Sequence, residues 1–369
     1  MSLRGYPEER RTPAGPRILG LAWIVFLTLL ILGGIALTIV GNPDSGRPVV
    51  VMDVAAPHPA QPKPRTAVAP PSQQAPPTEQ QAESQVPAGP PLAAQKKITQ
   101  PQFAGKALIA DPALIESTQD GPLPRIADDG TTPMRAYAPA VVSDGRPRIA
   151  IVVAGLGLSA KATRAAIDGL PAGVTLALAP YDADAQQWAA MARRGGHEVL
   201  LEVPMEPFDF PDSDLGPHTL RSGSAEDANT ERLVWAMTRF TGYAGVTNLL
   251  GGRFLSDAGA LEPMMSFLSR RGLLFFDNGQ AAHSAGGDVA RSTGAAYLQA
   301  DVTVDKIQTA MEIDRRLSSL ETLARTRGSA AGAAFLYPVT IERIRNWAQG
   351  VGGRGFVLVP ASAIVPAAK

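Results

Sequence analysis

The chain has 369 residues with 34 Lys and Arg against 34 Asp and Glu, so no basic excess exists to neutralise a phosphate backbone, and nucleic acid is not an expected partner. It contains no cysteine, which removes disulfides, thiolate metal sites, iron–sulfur clusters and a cysteine nucleophile. Its 33 prolines and 36 glycines are too many for one folded domain and must be concentrated somewhere.

Residues 1–17 carry Arg4, Arg10, Arg11 and Arg17, and Ile18–Val40 follows as 23 uncharged, mostly apolar positions. At about 1.5 Å per residue that run covers a hydrocarbon slab of roughly 30 Å. Only Arg47 lies close behind it, so the positive-inside asymmetry puts residues 1–17 in the cytoplasm and everything after Gly41 outside. The run exceeds the apolar region of a signal peptide, about 7–15 residues, and ends in Gly41-Asn42-Pro43-Asp44 without a small-x-small cleavage site. It reads as an uncleaved single-pass anchor in the cytoplasmic (inner) membrane, with the remainder periplasmic. Residues 41–100 read as a tether, because Pro57–Pro91 holds eleven prolines in 35 residues among Gln, Ala and Ser and cannot bury a core. Residues 101–146 regain Leu and Ile without clear periodicity and read as an irregular lead-in packed on a folded domain, 147–369.

From Ile149 onward short apolar runs alternate with amphipathic stretches. Strands are expected at Ile149–Ala154, Val174–Ala179, Glu198–Val203, Gly245–Leu249, Leu273–Phe276, Ala295–Gln299, Ala333–Leu336 and Phe356–Val359. Helices fall between them. In Ala225–Phe240, Leu233, Ala236, Met237 and Phe240 repeat at helical spacing, and in Val304–Arg325, Ile313, Leu317, Leu320 and Ala324 do the same. Continuous apolar strands joined through helices are parallel and buried on both faces. The fold class is α/β, a distorted (β/α) barrel of about seven to eight strands, with an open doubly wound sheet as the alternative. In either architecture chemistry belongs at the carboxyl ends of the strands. There stand Ala154-Gly155-Leu156-Gly157, Pro204-Met205-Glu206-Pro207, Asn248 with Gly251 and Arg253, Asp277-Asn278, Asp301, and Tyr337-Pro338.

Of the four histidines His58 lies in the tether, and His197, His218 and His283 form no pair at metal-ligand spacing. No G-x-S-x-G elbow or Walker loop is present. Gly155-Leu156-Gly157-Leu158-Ser159-Ala160 formally matches the dinucleotide-binding G-x-G-x-x-A. The expected acidic residue at the end of the second strand is replaced by Ala179-Pro180-Tyr181, so the glycines read as allowing a tight strand-to-helix turn.

RPRIAIVVAGLGLS, LPAGVTLALAPY, GHEVLLEVPMEP, GYAGVTNLLGGRF and LVPASA together resemble the divergent polysaccharide deacetylase family over roughly Arg146–Ala363. The resemblance implies a distorted (β/α) barrel whose ordinary members use a divalent metal to remove acetyl groups from glycans: the metal acidifies a water, an Asp takes its proton and a His protonates the leaving group. It also implies paired aspartates at the end of the first strand, where this chain has Ala154 and Gly155. Two histidines four apart correspond to Glu202 and Glu206, His197 matches a histidine that is not a ligand, and the histidine of an Asn-Asn-His-Met-Gly-Ser segment is missing from Thr247–Gly252.

Loss of a general base alone costs roughly 10²–10⁴ in rate, and loss of several ligands abolishes tight metal binding. The expectation is a poor deacetylase or none, with no cofactor. The pocket candidates are Glu202, Glu206, Asn248, Arg253, Asp277, Asp301, His197 and Tyr337, hydrogen-bonding sugar hydroxyls while Tyr181, Phe208 or Tyr337 stack on rings. Expected partners are a cell-wall or surface polysaccharide or an envelope glycan-processing protein. The alternative is an active enzyme holding zinc, manganese or cobalt on a rebuilt site of Glu202, Glu206, Asp277 and Asp301. Glu202, inside an apolar strand, needs a partner, and Arg253 or His197 would supply it.

Overall fold

The computed structural model describes residues 110–141 and 144–366. The expected anchor and tether lie outside the described residues, and no helix among the described residues is long and apolar enough to cross a membrane. The lead-in is more regular than expected. It forms a hairpin of β1 (Ile115–Thr118) and β2 (Gly121–Pro124) followed by a short helix, α1 (Pro133–Ala136), and it buries Leu114, Leu123 and Tyr137. Pro122 and Pro124 hid the alternation of β2, and a two-stranded ribbon tolerates them because its outer edge needs no N–H.

The domain then runs β3 (Arg148–Leu156), α2 (Ala160–Gly169), β4 (Thr175–Leu178), α3 (Ala185–Arg194), β5 (Val199–Met205), α4 (Glu226–Met237), β6 (Gly245–Leu250) and α5 (Gly252–Leu255). It continues through α6 (Ala258–Arg270), β7 (Leu274–Asp277), α7 (Gly286–Thr293), β8 (Ala296–Gln299), β9 (Val302–Thr303), α8 (Ala310–Arg327), β10 (Ser329–Phe335), α9 (Pro338–Val351) and β11 (Val357–Leu358). All eight expected strands are present, with β9 in addition. The helix expected from Val304 starts at Ala310 instead, because the Thr309 hydroxyl caps the Glu312 N–H.

All pairings in the large sheet are parallel, in the order β8-β7-β6-β5-β4-β3-β10-β9, and β11 pairs with the first two residues of β3. β8 and β9 stand at opposite ends of that order, yet only Ala300 and Asp301 separate them in the chain. Three Cα steps span at most ~11 Å, whereas a flat sheet of eight strands would hold its edges ~34 Å apart. The sheet therefore curls until both edges meet in one segment. There the Ala300 N–H donates to the Asp277 carbonyl and the Asp301 N–H to the Ala331 carbonyl, each at 2.8 Å. The architecture is a curled parallel sheet of the (β/α)-barrel kind, which supports the barrel expectation over the open sheet.

Alternation sorts each strand onto two faces. Ile149, Ile151, Val153, Leu176, Val199, Leu201, Val246 and Phe275 pack with the helices. Ala150, Val152, Ala177, Leu200, Leu274, Phe276, Leu298, Ala331 and Ala333 form the concave side.

Candidate functional site

The parity of β5 decides what the mouth contains. Leu200 is on the concave side while Val199, Leu201 and Val203 meet the helices, so Glu198 and Glu202 share the concave face with Leu200. Glu202 is fully buried. One of its oxygens accepts the Gly155 N–H, and Oε2 has no partner. Its register neighbour on β6, Thr247, is buried with an equally unpartnered hydroxyl. Burial pushes the Glu202 carboxyl up to about 8, with the Gly155 N–H opposing the shift. Burial thus favours the protonated form of Glu202 in the folded chain.

Gly155 occupies one of the positions where the resemblance expects an aspartate, and the backbone shows why no side chain is present. Its φ is +92°, and an added Cβ would fall 2.6 Å from the Phe335 ring at the end of β10. Ala154 beside it is half-buried and brings no polar group.

Glu206 is 5% exposed and fully engaged. Its Oε2 accepts the Ser222 N–H at 2.7 Å, Arg253 stands 3.7 Å from Oε1, and its backbone carbonyl accepts the N–H groups of Arg253 and Phe254. Arg253 thus serves Glu206 and not Glu202, correcting one of the two pairings expected from the sequence. His197 corrects the other. It precedes β5, at the amino end of the sheet, where its ring nitrogens meet the carbonyls of Val174 (2.9 Å) and Ile167 (3.2 Å).

The remaining candidates disperse. Asn248 forms an amide clasp with Asn278: its Nδ2 donates to Asn278 Oδ1 at 2.8 Å, its Oδ1 accepts the Asn278 N–H at 3.0 Å, and Asn278 Nδ2 donates to its carbonyl at 2.9 Å. Asp277 follows the concave-facing Phe276 and so projects to the helix side, where it accepts the Gly279 N–H and the Tyr297 hydroxyl, both at 2.9 Å. Burial and the neighbouring Asp277 charge raise the Tyr297 phenol well above its ordinary range. Asp301 binds Arg327 at 3.0 Å and the Ala331 N–H at 2.8 Å, toward the amino-terminal part of β10 and away from Phe335. Tyr337 precedes α9, with its ring 5.2 Å from that of Phe335.

Among the described residues no three His, Asp or Glu side chains are placed to hold a metal ion. The divalent metal implied by the resemblance does not fit this donor set. Ala154 and Gly155 offer nothing, Glu202 is turned to a backbone amide, Glu206 is bound to Ser222 and Arg253, and Asp277 faces the wrong side. Sequence reasoning missed Asp305, which is buried, accepts the Phe335 N–H at 2.7 Å and the Thr340 hydroxyl at 3.0 Å, and has its carboxyl raised by burial. It was hidden inside the expected helix. Glu198 and Thr247 were missed as well, although strand alternation could have placed both on the concave face.

The rim above is partly aromatic. Tyr181 is 43% exposed and donates to the Leu215 carbonyl at 2.8 Å, and burial, then the charges of Glu202 and Asp214, lift its phenol to about 12. Its ring lies 6.0 Å from that of Trp235, on which His218 stacks at 3.7 Å. Phe208, 65% exposed, covers Gly252, where a Cβ would meet its ring at 2.8 Å.

Comparison with known proteins follows the same outline. The family model described as divergent polysaccharide deacetylase matches residues 151–365. The uncharacterized protein YibQ of Escherichia coli K12 is 26% identical over 178 residues, 48% of this chain and 55% of that one, so the match spans about half of that relative's length. An uncharacterized protein of Haemophilus influenzae is 24% identical over 199 residues, 54% of this chain and 70% of the relative. The crystal structure of an uncharacterized protein from Agrobacterium tumefaciens C58 is similar at a TM-score of 0.65 and 43% identity, covering 66% of this chain and all of that one.

Proposed function

Because the chain belongs to the divergent polysaccharide deacetylase family, we propose that it is a membrane-anchored, outward-facing protein of the cell envelope that contacts glycan without deacetylating it. The observation that carries this reading is that the two carboxylates standing where the family's ligand pair is expected, Glu202 and Glu206, are each tied to a backbone N–H. Glu202, its carboxyl raised by burial, is tied to Gly155, while Glu206 is held by Ser222 and Arg253. Deacetylation needs a held cation and a base to generate hydroxide, and among the described residues no three such donors converge to supply them.

Contact falls to the polar half of the rim. The Arg253 side chain is 55% exposed and its charge is only partly neutralised by Glu206 at 3.7 Å. Phe208 stands over the adjoining Gly252, so a sugar ring stacked on Phe208 would present hydroxyls to the neighbouring Arg253. The Ile18–Val40 run and the Pro-rich segment after it would hold the domain outside the inner membrane within reach of cell-wall or surface polysaccharide. A glycan-processing protein of the envelope is the other occupant this rim would suit. Retention of the full chain on isolated peptidoglycan and on immobilised chito-oligosaccharides tests the reading. Wild type is expected to be retained, and Phe208→Ala with Arg253→Ala to lose most of that retention. A wild type that flows through, or a double variant retained equally, removes the glycan reading.

A further inference from the structure

The amino end of the sheet, opposite the mouth, carries a groove of about 1040 Å³ between α2, α3, α9 and β11. Its apolar surface comes from Ile167 and Leu170 at the end of α2, Met191 on α3, Val351 at the end of α9, and Phe356 and Leu358 around β11. Met191 and Leu358 are only half-buried, although both pack on the main core. A cleft that leaves large apolar side chains half-covered gains from whatever fills it, at roughly 25 cal/mol per Å² removed from water.

Charge does not choose the occupant. The edge is mixed: Asp168, Arg194 and Arg345 are exposed, and Arg146 pairs with Asp144 at 2.6 Å. Neither an anion nor a cation is singled out, so position decides.

The described residues begin at Ala110, whose Cβ lies 3.6 Å from the place that a Cβ on Gly242 would take. Arg193 packs on the same Gly242, and the next residue, Arg194, stands on the groove edge. The entry point is fixed, because the Asp111 N–H donates to the Tyr137 hydroxyl at 3.1 Å and the Arg193 guanidinium covers the Tyr137 ring at 4.6 Å. The preceding chain therefore joins the domain within about a side chain's length of the groove. Its last part, residues 101–109, has the chemistry to fill it. Phe103 is the only Phe, Tyr or Trp between Val40 and Ala110, Leu108 and Ile109 follow, and Lys106 is the one charge. Phe103 stands seven residues before Ala110, a reach of up to about 24 Å.

We propose that residues 101–109 of this chain occupy the groove, with the Phe103 ring against Met191 and Leu358. A segment tethered so closely is present at an effective concentration on the order of millimolar, which a second copy or a separate partner would have to exceed. Docked there, the segment stays at the amino end of the sheet and leaves the rim at the carboxyl end clear. The inference does not depend on what that rim binds.

The chain has no cysteine, so one introduced thiol reports one place. Met191→Cys in the full chain, labelled with a fluorescent maleimide, is expected to react at least tenfold faster once Phe103→Ser and Leu108→Ser are added. Leu358→Cys should show the same acceleration and is the probe if Met191→Cys does not fold. Thr326→Cys, exposed at the far end of α8, should label at one rate in both backgrounds. Equal rates at the groove with and without the two serines overturn the inference: if both are fast the groove is open, and if both are slow something else covers it. Protection by the native segment is expected to survive hundredfold dilution; its loss on dilution would assign the groove to the segment of a second copy and overturn the proposal as well. Retention on peptidoglycan is read at the rim and can fail or succeed without moving these rates.

Discussion

Replacing Glu202 by Gln removes one proton-binding group and almost nothing else. The amide oxygen can still accept the Gly155 N–H, and the NH2 group takes the place of the unpartnered Oε2 beside Thr247. The folded-state carboxyl titrates at about 8 against 4.5 in the unfolded chain, and the side chain is fully buried. Below pH 4.5 both states are protonated and the acid costs nothing. Between 4.5 and 8 only the unfolded chain ionises, so stability falls with rising pH, and above 8 the loss is complete. At 1.36 kcal/mol per pKa unit the full penalty is roughly 5 kcal/mol, of which about 3 kcal/mol is already present at pH 7. Glu198, whose carboxyl burial also raises, adds its own slope to wild type and variant alike, so the difference between the two isolates Glu202. Urea unfolding followed by circular dichroism at pH 5 and pH 8 should show Glu202→Gln gaining several kcal/mol on wild type over that interval. A difference independent of pH would mean that Glu202 is ionised in the fold, and the description of the mouth as a neutral, closed site would be wrong.

Restoring the family's acid is predicted to fail for a steric reason. Gly155→Asp puts a Cβ 2.6 Å from the Phe335 ring at a φ of +92° and should cost at least ~3 kcal/mol in a denaturant melt, without metal-dependent deacetylation of chito-oligosaccharides; a stable, active variant would refute the packing argument. Asp277→Asn weakens the bonds to Gly279 and Tyr297 and should lower stability by about 1–3 kcal/mol. Tyr297→Phe in the same background should add less than it does alone, and strict additivity in the double-mutant cycle would show that the two groups do not share a bond.

The strands and their parallel order were legible because each buried run is continuously apolar, and β3 to β8 fall within a few residues of the expected limits. β9 escaped because two residues carry no period, and β2 because its prolines mask alternation. The site was half legible. Composition flagged Glu202, Glu206, Asn248 and Asp277 as polar groups at strand ends, and each is buried. Which way they point depends on parity at the last strand residue and on the turn that follows. Asp277-Asn278-Gly279 turns back on itself, as its turn sequence allowed, so the Asp caps the turn and does not line the mouth. His197, expected in the pocket or as a partner for Glu202, instead bridges two carbonyls at the amino end, two residues before β5 begins.

The central claim is that the mouth cannot assemble a cation and its hydroxide. Equilibrium dialysis of the full chain against zinc, manganese and cobalt, with the bound metal counted by elemental analysis, addresses it directly. The account predicts no tightly held ion with any of the three, and the same background for wild type and Glu206→Ala. One ion per chain, lost in Glu206→Ala, would contradict it.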